Sequence, residues 1–324
     1  MKKNLFKIAA LSLAVITTGI QAKEYEIVNV VKIAGIPWFN YMGKGVEQAA
    51  KDLSVNAYQL GGSSVDPAQQ VKIIEDLIAK GVDAITVVPN DVQVLEPVFK
   101  KAREKGIVVL THEAPKGHNA DWDIETIDNT AYAKTTMDAL AEGMGKQGGY
   151  NIYVGSLTVP LHNNWADVAL AYQKSEYPDM YEVSSRMPVS DSIEDSYAAT
   201  NNLMKAHPDM TGIVSFGSLG PIGAGEAVKK KRAKNKMTIV GVTMPLQAAP
   251  YFKRGEIDKG FLWNPADAGY ALVEVAKMIL DGKNVTDGIT LDKLGSAKID
   301  TENRVINFNK ILVVDKNNAD KLGF

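Results

Sequence analysis

The chain has 324 residues, of which 45% are hydrophobic, with a formal net charge of −2 and no cysteine. This length predicts one large or two medium domains with substantial cores, and the charge gives no reason to expect nucleic-acid binding. The absence of cysteine excludes a disulfide framework, a thiolate metal site, a thiol nucleophile and a lipid anchor attached to an exported cysteine.

The first 22 residues have the pattern of a secretory signal peptide. Lysines precede an apolar run from Ile8 to Ile16, and a polar stretch with small residues leads to Ala22. A membrane-spanning helix needs about 20 apolar residues, so the alternative of a retained anchor is weaker. We predict cleavage after Ala22 and, because no lipid anchor is possible, a periplasmic location.

From Ile27 onwards, short β-branched runs alternate with amphipathic segments. Asp66 and Pro67 are typical of a helix start, and Gly81 of a helix end. Apolar strands separated by helical periodicity indicate a parallel sheet covered by helices. The predicted strands are Ile27–Lys32, Ala57–Leu60, Ala84–Val88 and Ile107–Thr111, and the predicted helices are Gly43–Leu53, Pro67–Lys80 and Val92–Lys105.

The same pattern then starts again, which predicts two similar α/β domains rather than one continuous sheet. The predicted helices of this second half are Thr135–Met144, Trp165–Ser175, Ile193–Ala206, Gly223–Lys231 and Leu246–Arg254. Its predicted strands are Tyr150–Val154, Tyr181–Ser185, Gly212–Phe216, Met237–Val242 and Lys259–Trp263.

Polar and aromatic side chains follow many of these strands, at the carboxyl ends where open parallel sheets bind ligands. Amides and carboxylates pair with adjacent hydroxyls, and aromatic rings stack on the C–H face of a sugar ring. The pattern therefore predicts a small hydroxylated ligand without net charge. The candidate binding residues are Lys32, Trp38, Phe39, Asn90, Glu113, His162, Asn163, Asn164, Ser218, Thr243 and Asn264.

Several of these residues have a simpler alternative role. Trp38 and Phe39 fit the core of a loop, Glu113 fits a solvated strand end or a salt bridge to Lys32, and His162 fits packing or an exposed surface. The four histidines lack metal-binding spacing, so we expect no metal site. The glycine-rich segment 217–225 lacks a dinucleotide fingerprint, so we expect no cofactor.

Four long segments carry a family resemblance: residues 30–53 (VVKIAGIPWFNYMGKGVEQAAKDL), 65–91 (VDPAQQVKIIEDLIAKGVDAITVVPND), 238–272 (TIVGVTMPLQAAPYFKRGEIDKGFLWNPADAGYAL) and 299–306 (IDTENRVI). The chain resembles the periplasmic sugar-binding proteins of ABC importers, related to the ribose-binding protein, and in particular the branch of the autoinducer-2 and rhamnose binders. The resemblance implies the type I periplasmic binding protein fold, an α/β fold of two Rossmann-like domains with parallel sheets joined by three crossovers.

The resemblance also implies where the two lobes divide. We predict crossovers near Ile127–Thr130, Asn264–Ala266 and Val285–Ile289. The N-terminal lobe then comprises residues 23–127 plus 265–287. The C-terminal lobe comprises residues 128–264 plus 288–324.

Some candidate positions match the family and others depart from it. Trp38 and Phe39 fall where the family places aromatics against the sugar, and Lys32 matches a ligand-binding lysine of the autoinducer-2 binders. Glu113 falls where an aspartate usually receives two hydroxyls, and Asn264 matches an Asp or Gln that closes the pocket. By contrast, residues that the relatives use to bind their ligand are replaced at three places: in the segment 161–164, at Phe216 and Ser218, and at Thr243.

The resemblance implies a binding protein without catalysis, and the departures shift its expected ligand. We predict a pentose, a branched short sugar such as apiose, or a related polyol, delivered by hinge closure to the membrane permease of an ABC importer. We expect the protein to act as a monomer without nucleic acid. Three alternatives stay open: autoinducer-2 binding and uptake, ligand presentation to a chemoreceptor, and a secreted sugar-modifying enzyme.

Overall fold

A computed structural model describes residues 24–115, 117–231 and 237–324. The predicted signal peptide, residues 1–22, lies outside the described residues. Within them, helices and mainly parallel strands form two lobes, each built around its own sheet, which confirms the predicted fold class. Among these described segments, no helix combines the length and apolar character needed to cross a membrane.

The first lobe is built on a seven-stranded sheet with the order β2–β1–β3–β4–β5–β15–β14. Strands β1 to β5 and β15 run parallel, and β14 pairs antiparallel with β15. The strands are β1 Glu26–Val31, β2 Asn56–Gly61, β3 Ala84–Val87, β4 Val108–His112, β5 Trp122–Glu125, β14 Lys298–Asp300 and β15 Val305–Asn307. The helices are α1 Pro37–Leu53, α2 Pro67–Lys80, α3 Val92–Glu104 and α9 Pro265–Leu280.

The second lobe repeats this plan with the strand order β7–β6–β9–β10–β11–β16, in which β8 extends the pairing of β7 along β6. Strand β16 is antiparallel to β11. The strands are β6 Gly148–Val154, β7 Met180–Glu182, β8 Met187–Pro188, β9 Met210–Ser215, β10 Thr238–Gly241, β11 Lys259–Leu262 and β16 Leu312–Val314. The helices are α4 Asn129–Met144, α5 Pro160–Glu176, α6 Ile193–Ala206, α7 Gly220–Lys231 and α8 Pro245–Arg254. A small hairpin, β12 Thr290–Leu291 with β13 Gly295–Ser296, packs beside the first lobe.

Period-two alternation along β1 divides the core of the first lobe into two layers. Ile27 faces the layer formed with α1 and α9, whereas Val28 and Val30 face α2 and α3. Both faces of the sheet are covered, which explains why its strands are apolar throughout.

Helix α2 shows how local sequence determines its own ends. The Asp66 side chain accepts a hydrogen bond from the Ala68 N–H at 2.9 Å, and Pro67 occupies the first turn. Gly81 ends the helix with a φ of 78°, a left-handed conformation that glycine adopts without a steric cost. The predicted bounds of this helix are therefore confirmed.

The chain passes between the lobes three times. It leaves the first sheet after β5 and returns between β11 and α9. The third passage differs from the prediction: it lies at residues 308–311, between β15 and β16, rather than at Val285–Ile289. Residues 298–307 therefore belong to the first sheet, because β15 pairs with β5 and buries Val305 and Ile306.

Candidate functional site

A small cavity lies between the lobes, at the carboxyl ends of both sheets. Both lobes contribute charged, polar and aromatic side chains to it. Its lining residues are Lys32, Ile36, Trp38, Phe39, Glu113, His162, Trp165, Asp191, Phe216, Gly217, Ser218, Val242 and Trp263. A direct bond between the lobes, from Thr158 Oγ1 to the Asn90 carbonyl at 3.2 Å, closes the cleft beside it.

Lys32 lies at the centre of the charged groups in this cavity. It follows β1 directly, and only 3% of its surface is exposed. Its Nζ lies 3.5 Å from Glu113 Oε2, 3.2 Å from His162 Nε2 and 5.7 Å from the centre of the Phe39 ring. A buried ammonium needs a compensating charge, and Glu113 supplies it from the same lobe.

The hydrogen bonds of His162 determine which of its ring nitrogens holds the proton. The backbone N–H of Gly155 donates to Nδ1 at 3.0 Å, so in the neutral ring the proton is on Nε2. Burial, together with the nearby Lys32 ammonium, holds the pKa of His162 well below its usual range, which keeps the ring neutral. Nε2–H and the Lys32 ammonium are then two adjacent donors, 3.2 Å apart across the lobes, and one acceptor oxygen of a ligand within reach of both would satisfy the pair.

Glu113 combines burial with an unusual backbone conformation. It follows β4 directly and has a φ of 64°, which is uncommon for a residue with a Cβ. The neighbouring His112 Nδ1 donates to the Ile124 carbonyl at 2.6 Å and anchors this strand end. Such strain persists only where the surroundings enforce it, and it clusters at functional sites. The conformation turns the carboxylate of Glu113 into the cavity, where its Oε2 forms the ion pair with Lys32 and accepts no hydrogen bond from the described residues.

Asp191 brings a second carboxylate to the cavity, from the loop between β8 and α6. Its Oδ2 is buried and has no hydrogen-bond partner among the described residues, and the same holds for the hydroxyl of Ser190. Burial raises the pKa of Asp191, and the attraction of Lys32 opposes that shift. The acceptors of the cavity thus lie on both lobes.

Aromatic rings form the apolar walls. Trp38 from α1 meets Trp263 edge to face, with 5.1 Å between the ring centres, and Trp165 from α5 packs against Trp263 and Phe216 at 5.8 and 5.9 Å. Tyr132 packs against this group, with 4.7 Å between its ring centre and that of Trp165. The indole N–H of Trp263 is buried without an acceptor among the described residues, so one wall also offers a donor.

Six of the eleven sequence-predicted binding residues line this cavity, and the other five lie elsewhere. The six are Lys32, Trp38, Phe39, Glu113, His162 and Ser218. Asn163 donates to the carbonyls of Ser156 and Val159 and holds the start of α5, while Asn264 caps α9 by accepting from the Ala266 N–H at 3.0 Å.

The remaining three lie near the cavity without lining it. Asn90 donates to the Lys32 carbonyl at 3.0 Å and so supports the lysine from below, with its own Oδ1 left unpaired among the described residues. Thr243 is fully buried next to the lining residue Val242. Asn164 lines two other cavities between the lobes.

Seven lining residues are not among the predicted binding residues. Three of them carried a readable signal, because Phe216, Val242 and Trp263 end predicted strands at the ligand-binding edge, and Gly217 follows the first of these strands directly. The other three depend on tertiary packing, which places the loop before α1, the first half of α5 and the loop before α6 beside the strand ends. The seven are Ile36, Trp165, Asp191, Phe216, Gly217, Val242 and Trp263.

Comparison with known proteins identifies the same architecture elsewhere. The family model described as "Periplasmic binding protein domain" matches residues 27–284. The ribose import binding protein of Bacillus subtilis is 22% identical over 272 residues, which cover 83% of this chain and 86% of the relative.

Solved structures agree in fold. LsrB from Clostridium saccharobutylicum, in complex with AI-2, superposes with a TM-score of 0.85 at 20% identity and covers 92% of this chain and 100% of its own. A solute-binding protein from Clostridium phytofermentas with bound L-rhamnose gives a TM-score of 0.81 at 22% identity, over 92% and 98% of the two chains.

Proposed function

The chain belongs to the periplasmic binding protein domain family, and from that premise we propose that it captures a small uncharged sugar for an ABC importer. Its relatives are ribose import binding proteins, and solved structures of the same fold hold sugars such as L-rhamnose and D-arabinose. The proposed ligand is a pentose, a branched short sugar such as apiose, or a related polyol. The proposed location is the periplasm, with the permease as partner and the monomer as the working form.

One observation carries this proposal: buried polar atoms from both lobes converge on the cavity without hydrogen-bond partners. A buried polar group left unpaired costs roughly 1–3 kcal/mol, so several together favour a ligand that pairs with them. Acceptor and donor atoms are both present, which suits hydroxyl groups because a hydroxyl both donates and accepts. Among the described residues, the unpaired atoms in or beside the cavity are Asn90 Oδ1, Asp191 Oδ2, Thr243 Oγ1 and Trp263 Nε1.

The walls of the cavity support a sugar ligand. Trp38, Trp263 and Phe39 provide apolar faces for the C–H side of a ring. The bond between Thr158 and Asn90 spans the cleft, so a ligand enters only when the lobes separate and is enclosed when they close.

A thermal-shift screen tests the proposal. The probes are D-ribose, D-arabinose, D-xylose, apiose, L-rhamnose, ribitol and autoinducer-2, with D-gluconate and a nicotinamide dinucleotide as controls. A ligand present at 1,000 times its Kd stabilises the folded state by about 4.1 kcal/mol. For a cooperative chain of this size, this corresponds to roughly 6 °C in Tm.

The outcomes separate the candidate functions. A shift with a neutral sugar or polyol, confirmed by calorimetry, supports the proposal. A shift with autoinducer-2 alone assigns the alternative ligand, and a shift with the nicotinamide dinucleotide alone assigns an enzyme. No shift with any sugar or polyol overturns the proposal.

A further inference from the structure

We propose that Asp191 is a specificity-determining residue of the second lobe, which accepts a hydroxyl of the bound sugar from the second-lobe side of the cavity. This inference rests on the proposed function and deepens it, because it defines the hydroxyl pattern of the ligand. Asp191 precedes Ser192, whose side chain caps α6, so the carboxylate is held at the junction of a short strand and a helix.

Two glycines make the position of this carboxylate possible. A Cβ on Gly155, at the end of β6, would lie 2.2 Å from Asp191 Oδ2 and 3.1 Å from His162 Nδ1. A Cβ on Gly217, after β9, would lie 2.9 Å from Asp191 Oδ1 and 2.1 Å from Ser190 Oγ. Both distances to Asp191 are shorter than real Cβ contacts, so the two strand ends accept this carboxylate only because they lack side chains.

The carboxylate seated there is incompletely paired. Its Oδ2 is buried without a hydrogen-bond partner among the described residues, and no described residue forms a salt bridge with it. Lys32, the ammonium that lines the cavity, has its closest acidic contact with Glu113 at 3.5 Å. A ligand hydroxyl donating to Asp191 Oδ2 would supply the missing bond, and such a bond to a charged acceptor is stronger than a neutral one.

The balance of charges defines the class of ligand. The cavity contains two carboxylates, Glu113 and Asp191, against one ammonium, Lys32, while His162 is held neutral. An anionic sugar would meet an excess of negative charge, whereas a neutral sugar can donate a hydroxyl to each of the two acids. The site therefore selects a neutral polyhydroxy compound and rejects sugar acids and the analogue lacking the hydroxyl that faces Asp191.

The test is calorimetric titration of the wild type, Asp191→Asn and Asp195→Asn with the pentoses and polyols of the screen and with their monodeoxy analogues. Asp195 is exposed on the first turn of α6, so Asp195→Asn makes the same chemical change outside the cavity. We expect Asp191→Asn to weaken binding by roughly ten- to hundredfold, since it replaces one acceptor oxygen by a donor. Asp195→Asn should change the Kd less than twofold.

A double-mutant cycle distinguishes a direct contact from a structural role. One monodeoxy analogue should bind the wild type as weakly as the parent sugar binds the Asp191→Asn protein. The Kd of that analogue should be the same for the wild type and for Asp191→Asn. Additive losses for every analogue would overturn the proposal. An Asp191→Asn protein that binds the parent sugar within twofold of the wild type would also overturn it, while leaving the proposed function intact. A wild type that binds none of the neutral probes would overturn both, and Asp191→Ser provides the same comparison if the asparagine variant does not fold.

Discussion

Glu113 allows a direct measurement of backbone strain at the proposed sugar site. Its left-handed φ of 64° costs a residue with a Cβ about 1–2 kcal/mol, and glycine avoids that cost. Glu113→Ala and Glu113→Gly remove the same carboxylate and leave Lys32 without its ion-pair partner in both proteins. The difference between their free energies of unfolding therefore reports the effect of the backbone conformation. Glycine also lowers the free energy of unfolding by about 0.4–1 kcal/mol relative to alanine, because the unfolded chain with glycine has the greater entropy. We therefore expect the glycine variant to be the more stable by about 0.5–1 kcal/mol.

The assay is urea unfolding of the ligand-free variants followed by circular dichroism, with midpoints compared at a common m-value. A matched control is the same pair of substitutions at Glu47, which is exposed within α1. There the order should invert, because alanine is favoured over glycine in a right-handed helix by about 1 kcal/mol. In calorimetry, both Glu113 variants should lose the sugar to the same extent. A Glu113→Ala protein as stable as Glu113→Gly would refute the strain that we assign to this strand end.

Three further predictions concern packing, pH and fluorescence. Gly45→Ala should lower the free energy of unfolding by about 3 kcal/mol, because its Cβ would lie 1.8 Å from a backbone oxygen of α9. The control Gly43→Ala should be nearly neutral, because its Cβ meets only a side-chain amide at 3.3 Å. Equal urea midpoints for the two variants would contradict this prediction. Burial raises the pKa of Glu274 to about 7, above the value of about 4.3 in an unfolded chain. Between these two values the folded state keeps a proton that the unfolded state releases. The free energy of unfolding should therefore fall as the pH rises from 5 to 7. Glu274→Gln should flatten that fall, and an unchanged slope of urea midpoint against pH would exclude Glu274 as its source. Saturating sugar should change the intrinsic fluorescence less in Trp263→Phe than in Trp122→Phe, because only Trp263 of the two lines the cavity; an equal response would argue against ligand contact with this wall.

The elements that sequence predicted well are those whose signals are local. Helix α2 begins and ends where its cap, its proline and its final glycine require, and the apolar strands of both sheets lie close to their predicted bounds. Strands β14 and β15 were missed because each has only three residues and no readable alternation. Their pairing with the first sheet depends on distant β5, so the third crossover was predicted too early.

The candidate site divides in the same way. Lys32 and Glu113 directly follow predicted apolar strands, so the rule that ligands lie at carboxyl strand ends found them. Asn163 and Asn264 have suitable chemistry, but their side chains bond to nearby backbone groups, a local competition that spacing alone does not reveal. Asp191 follows a strand of only two residues, and its place in the cavity depends on glycines at the ends of two other strands.

The late third crossover has a consequence for the order in which the lobes can assemble. The first sheet receives β14 and β15 only after the whole second lobe except β16 has been synthesised, and α9, which packs on its β1 face, also comes late. About 180 residues separate Ile127 from Asn307. At a synthesis rate of about 5–20 residues per second, the N-terminal segment waits roughly 9–36 s for its partners. Although it is made first, the first lobe therefore cannot complete its sheet before nearly the whole chain exists.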